Sequence, residues 1–86
     1  MASYKAFDDP VALVELLAPN DELIGFQGQT ARNIAEKYVL ISRNFPELIR
    51  NLKKGAQNEK DRDVAIFMER VRLRAENLLG DFIGNP

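Results

Sequence analysis

Three hydroxyls (Ser3, Thr30 and Ser42) and two phenols (Tyr4 and Tyr38) are the nucleophile-type side chains of this 86-residue chain. It has no His and no Cys to activate or accompany them. A hydroxyl without a neighbouring base is a weak nucleophile. Paired carboxylates do acid–base work only when placed across a cleft, and a helical domain this small leaves little room for one. The chain is therefore read as a non-enzyme. Without thiolate or imidazole ligands, no structural metal, disulfide or cofactor is expected.

Two short patterns resemble ligand loops. Asp61-Arg62-Asp63 opens like a calcium loop. Counting Asp61 as position one, Ala65 stands at five, Ile66 where the turn glycine belongs and Arg72 where the bidentate glutamate belongs. These acids are read instead as companions of a helix N-terminus. Gly25-Phe26-Gln27-Gly28 is a GxxG, the loop that clamps nucleic-acid backbone in KH domains. Its middle residues are not basic and no strands flank it, so it reads as a loop ahead of a helix.

Thr30 to Tyr38, then Ser42-Arg43, then Ile49-Arg50, superficially resembles the cadence of bacterial helix-turn-helix regulators over about a quarter of the chain. That resemblance implies DNA binding. The spacing from Ala35 to Ser42 is one residue longer than the pattern, Val39-Leu40 replace its turn glycine, and Pro46 falls where the second helix should run. No family is assigned. Independently, Arg43, Arg50, Lys53, Lys54, Lys60 and Arg62 gather around one predicted turn, diluted by Glu47, Glu59 and Asp61. Arg50, Lys53 and Lys54 are the candidate nucleic-acid contacts, with no sequence-specific binding expected at physiological salt.

The other candidate surface is an apolar stripe. In the predicted last helix, Ile66 and Leu73 are seven residues apart, opposite the main apolar stripe. Glu69, Arg70, Arg72 and Glu76 flank them. Ile66, Leu73, Glu69 and Arg70 are the candidate protein interface. The spacing leaves open whether a second copy covers the stripe or another part of the same chain does. A small anionic ligand held between subunits by Arg70, Arg72 or Arg74 is a further reading.

These residues need helices to position them. Asp9-Pro10 is a helix start, and a helix over 10–18 is apolar almost all round, predicting burial on more than one side. Asp21 to Ile24 could add one turn. Thr30 caps a helix over 30–44, with Ile34, Tyr38, Ile41 and Phe45 on its inner face and Val39 and Leu40 off it. Asn44 and Glu47 have capping-box spacing and start a helix over 46–54, ended by Gly55. Asn58 caps a last helix over 58–83, about 36 Å long, running through Gly80. No stretch alternates with the period of a strand.

The composition agrees with a folded domain: 45% hydrophobic and 29% charged. Formal net charge is −1, unevenly spread. Residues 1–30 hold one base and five acids, a net of −4; residues 31–86 hold eleven bases and eight acids, a net of +3. The longest apolar run, Val64 to Met68, is far short of the ~20 residues of a spanning helix. The apolar stretch from Pro10 to Ala18 follows Asp8 and Asp9 and contains Glu15, unlike a secretory signal.

The expectation is one all-α domain over 1–86, a small bundle of three to four helices with a long C-terminal helix and a loose segment over 1–8. Its expected role is a cytoplasmic protein-binding adaptor, inhibitor or regulatory subunit. It would act as a homo-oligomer, in the simplest form a dimer, with a second, unidentified protein as partner and no membrane. Nucleic acid is the alternative partner. Ile34, Tyr38, Ile41, Leu48, Leu52, Phe67, Val71, Leu78 and Phe82 are the expected core. Phe67→Ala should then lower stability by about 3–5 kcal/mol in urea denaturation. A loss under about 1 kcal/mol would place the last helix in the wrong register.

Overall fold

A computed structural model of the chain describes residues 8–18 and 25–84, without the side chains of Phe26 and 81–84. Residues 1–7, Asp21 to Ile24 and the Phe82 side chain lie outside that description. The described residues form four helices and no strand: α1 (Pro10–Leu17), α2 (Gly25–Ile41), α3 (Phe45–Asn58) and α4 (Arg62–Gly84). The fold is a small all-α bundle with a long C-terminal helix. At 1.5 Å per residue α4 is about 34 Å long, nearly the full 38 Å extent of the molecule. Helices α1 and α3 each pack on α2 and α4 but do not touch one another. Helix α3 makes its broadest contact along α4.

Helix α1 starts as its sequence predicts. The Asp9 carboxylate accepts from the Ala12 N–H at 3.1 Å, and Pro10 occupies the first turn. Leu13, Val14 and Leu17 are buried, but Val11, Ala12 and Leu16 are exposed. The expectation of burial on several sides is therefore corrected. Among the described helices α2 and α4 pack on α1, and its buried residues Leu13, Val14 and Leu17 share one face.

Helix α2 begins five residues earlier than its predicted cap, Thr30. Gly25 opens it with φ +74°, a conformation that costs glycine little. The buried line is Gly28, Ala31, Ala35, Val39 and Ser42, spaced three, four, four and three. Ile34 and Tyr38 are half-buried beside it, and Ile41, expected in the core, is 64% exposed. The physical reason is size. A stripe of small side chains lets neighbouring helices approach the backbone, and the larger residues fringe the contact.

The end of α2 is pinned by polar bonds. Ser42 N–H donates to the Val39 carbonyl at 3.1 Å, and Ser42 Oγ donates to the Tyr38 carbonyl at 2.6 Å. Asn51 Nδ2 donates back to Ser42 Oγ at 3.0 Å, tying α3 to this turn. Helix α3 then continues through Gly55 to Asn58, against the expectation of a stop at Gly55. Gly55 is buried mid-helix. A Cβ there would overlap the hydroxyl end of Tyr38 and come within 2.8 Å of Met68 Cε. The glycine serves close helix packing, not a helix end. Nor does Asn58 cap α4. Asp61 does, accepting from the N–H groups of Asp63 at 3.0 Å and Val64 at 3.3 Å.

Leu13, Val14, Val39, Leu48, Leu52, Phe67, Met68 and Val71 are the largest fully buried side chains. Gly80, by contrast, lies in α4 with nothing within 4 Å of a Cβ placed there. The two helical glycines should thus respond with opposite signs. Gly80→Ala should stabilise by about 0.5–1 kcal/mol. Gly55→Ala should destabilise by about 1 kcal/mol, because crowding of Tyr38 and Met68 outweighs the helix-propensity gain. Thermal melts of both variants test this; equal shifts of one sign would contradict the packing role of Gly55.

Candidate functional site

The ligand-loop patterns are absorbed by helix architecture. Asp61 is the α4 cap, and the Gln27 side-chain amide of α2 donates to both Asp61 carboxylate oxygens at 3.2 Å and to Asp63 at 3.5 Å. No group of three His, Cys, Asp or Glu able to hold a metal occurs among the described residues. Gly25 to Gly28, expected as a loop, is the first turn of α2. Pro46 sits in the first turn of α3, where a missing N–H costs nothing, rather than inside a helix. Helices α2 and α3 are joined by three residues, Ser42 to Asn44.

Asn44 and Glu47 do form a cap, in a variant arrangement. Glu47 N–H donates to Asn44 Oδ1 at 2.9 Å, and the Glu47 carboxylate accepts the N–H of Arg43, one residue before the cap, at 2.9 Å. The Arg43 guanidinium approaches the same carboxylate at 3.4 Å. These contacts, the Arg43 N–H foremost and the charges of Arg43 and Arg50 behind it, hold Glu47 below its usual carboxylate range against some desolvation.

Two outward faces remain. On α4, Ile66 is 43% and Leu73 48% exposed, pointing away from the line Val64, Phe67, Met68, Val71 and Ala75. The described part of the chain does not cover them. Along one edge, Arg72 bonds Glu69 at 2.7 Å and is also paired with Glu76. The Glu69 bond chiefly, and both carboxylate charges, push the Arg72 guanidinium pKa up. An anionic ligand would have to compete with both carboxylates for Arg72. Arg70 lies exposed by the stripe. Arg74 instead lines an open cleft of about 240 Å³ between α1 and α4, with Leu16, Leu17, Asn77 and Leu78. Arg72 thus lies on the other side of α4 from Arg70 and Arg74, which are one turn apart, so the three do not gather at one site.

On α3, Arg50, Lys53 and Lys54 are all exposed, as are Lys60 and Arg62 in the turn that follows. Helical register puts Pro46, Arg50, Lys53, Lys54 and Gln57 within an arc of about 100°. None of these five cations forms an ion pair among the described residues. Arg43 belongs to the capping pair with Glu47 and is set apart from them.

Sequence reasoning did not single out Arg32. It bonds Glu15 of α1 at 3.3 Å, donates to the Gly28 carbonyl at 3.3 Å and lies 5.6 Å from the Phe67 ring centroid. One side chain thus links α1, α2 and α4. No sequence spacing points to its ties across helices, because Glu15 and Phe67 are 17 and 35 residues away. The exposed apolar residues Val11 and Leu16 were likewise not legible as surface, whereas Leu40, read as off the inner face of its helix, is exposed.

No family model, no curated protein and no solved structure matches the chain. No helix of the described residues is long and apolar enough to cross a membrane.

The lowered Glu47 pKa carries a sign. The folded protein keeps this carboxylate ionised where the unfolded chain protonates it. Its stabilisation is therefore full above the ordinary glutamate range and disappears as pH falls through the lowered value. Glu47→Gln should be less stable than wild type at neutral pH, and the two should converge on acidification below that range. Asn44→Ala should cost about 0.5–2 kcal/mol at any pH where the fold holds. Urea melts over a pH series read both; a constant gap between wild type and Glu47→Gln would contradict the assignment.

Proposed function

We propose that this protein is a small protein-binding module, an adaptor, inhibitor or regulatory subunit, that works as a homo-oligomer through the outer face of α4. The observation that carries this reading is the half exposure of Ile66 and Leu73, one heptad apart on the face turned away from the core. Fully burying such a side chain is worth about 1.5–3 kcal/mol. Each is already half covered, so completing both would contribute about 1.5–3 kcal/mol per subunit. A two-fold contact repeats the stripe on both partners, and one facing helix can cover both residues.

The rim supports the same reading. Glu69, Arg72 and Glu76 already form an ion-pair line along one edge, so their order need not be created on binding. The chain offers no His or Cys for acid–base or thiolate chemistry, which favours a binding role over catalysis. We place it in the cytoplasm on the same compositional grounds, and an unidentified second protein would be its regulatory target.

Leu73→Glu tests the interface, since a half-exposed position tolerates the change in the monomer. Light scattering coupled to size exclusion should show wild type as an oligomer at about 0.1 mM, a concentration that detects even a weak contact. The variant should be monomeric with its helical circular dichroism intact. A monomeric wild type, or a variant that keeps the wild-type mass, would overturn the reading.

A further inference from the structure

The α3 face differs in kind from the α4 face. Its arc holds Arg50, Lys53 and Lys54, all exposed, with no acidic residue among them. Glu47, at its edge, is half-buried and taken up by Arg43. The acids of α1, Asp9 at its cap and Glu15 within it, belong to an element that does not touch α3. The net charge of −1 thus averages over an acidic stretch, residues 1–30, and a basic one, residues 31–86. Glu47 offsets part of the charge of Arg50, whereas Lys53 and Lys54 form no ion pair among the described residues.

We propose that the outer face of α3 is a sequence-independent docking surface for the phosphate backbone of duplex DNA. The inference is independent of the α4 reading and uses other residues. Protein interfaces need a buried apolar or aromatic anchor, and this arc offers only Pro46. A polyanion needs none, because release of its condensed counterions drives binding. Single strands are bound by stacking bases on exposed aromatic rings, and the arc has no aromatic side chain. The major groove of A-form RNA is too narrow and deep for side chains to enter, whereas that of B-DNA is about 12 Å wide and admits a helix. From Arg50 to Gln57 the face runs about 10 Å along the helix axis, short enough for the three cations to reach phosphates flanking one groove. Lys60 and Arg62 beyond α3 add no net positive charge, because Glu59, Asp61 and Asp63 alternate with them, so the face is that of α3 alone.

The test is fluorescence anisotropy of the full chain with a labelled random-sequence DNA duplex, titrated at several salt concentrations. Three phosphate contacts should weaken binding about 40-fold between about 50 and about 200 mM salt. Lys53→Gln/Lys54→Gln removes two contacts from exposed positions, and helical circular dichroism checks its fold. Its salt dependence should fall to about 3.5-fold over the same range, with weaker binding at low salt. A single strand and an RNA duplex of equal length, and poly-glutamate, should each bind more weakly than DNA. No saturable DNA binding at about 50 mM salt would overturn the proposal. So would a double variant with the wild-type salt slope, or RNA or poly-glutamate binding as tightly as DNA.

Discussion

The bundle depends on one close approach, where α2, α3 and α4 meet at Tyr38, Gly55 and Met68. No other residue fits at Gly55 without displacing a neighbour, since its missing side chain is the space the Tyr38 ring end occupies. Protein interiors are packed to crystal-like density, and here the missing side chain of Gly55 makes room for the ends of Tyr38 and Met68. Leu48, Leu52, Phe67 and Val71 are fully buried on the helices that this contact brings together. Helix α2 follows the same logic, turning a line of small residues inward and leaving its larger ones at the margin.

Short polar devices then fix the turns. Ser42 and Asn51 lock the α2–α3 corner, Asn44 and Glu47 start α3, and Asp61 starts α4 while accepting from Gln27 of α2. Each satisfies backbone or side-chain groups that would otherwise lack partners at helix ends. Arg32 adds a tie across α1, α2 and α4, with its charge over the Phe67 ring. A domain this small, with no cysteine to form a disulfide, relies on such ties in addition to its core.

Because α4 runs nearly the length of the molecule, it has more surface than its neighbours cover. Its inner line is core and its outer line carries Ile66 and Leu73. Helix α3 is also covered on one side only, but its free side carries cations instead of apolar groups. The two surfaces therefore suit different chemistries, burial of apolar area on one and neutralisation of charge on the other.

The sequence by itself determined the helical class, the Asp9-Pro10 start, the Asn44–Glu47 cap, the inner stripe of α4 and its passage through Gly80. These are local matters, decided by spacing of 3.6 residues per turn and by side chains within four residues of the atoms they satisfy. Only the tertiary structure decided that Gly55 continues a helix, that Gly25 to Gly28 begins one, and that Val39 rather than Ile41 faces inward. It also revealed the ties made by Arg32. Each of these turns on which neighbour lies opposite a residue. A glycine reads as a helix end until a tyrosine from another helix fills its missing side chain, and a small residue reads as neutral until a backbone packs against it.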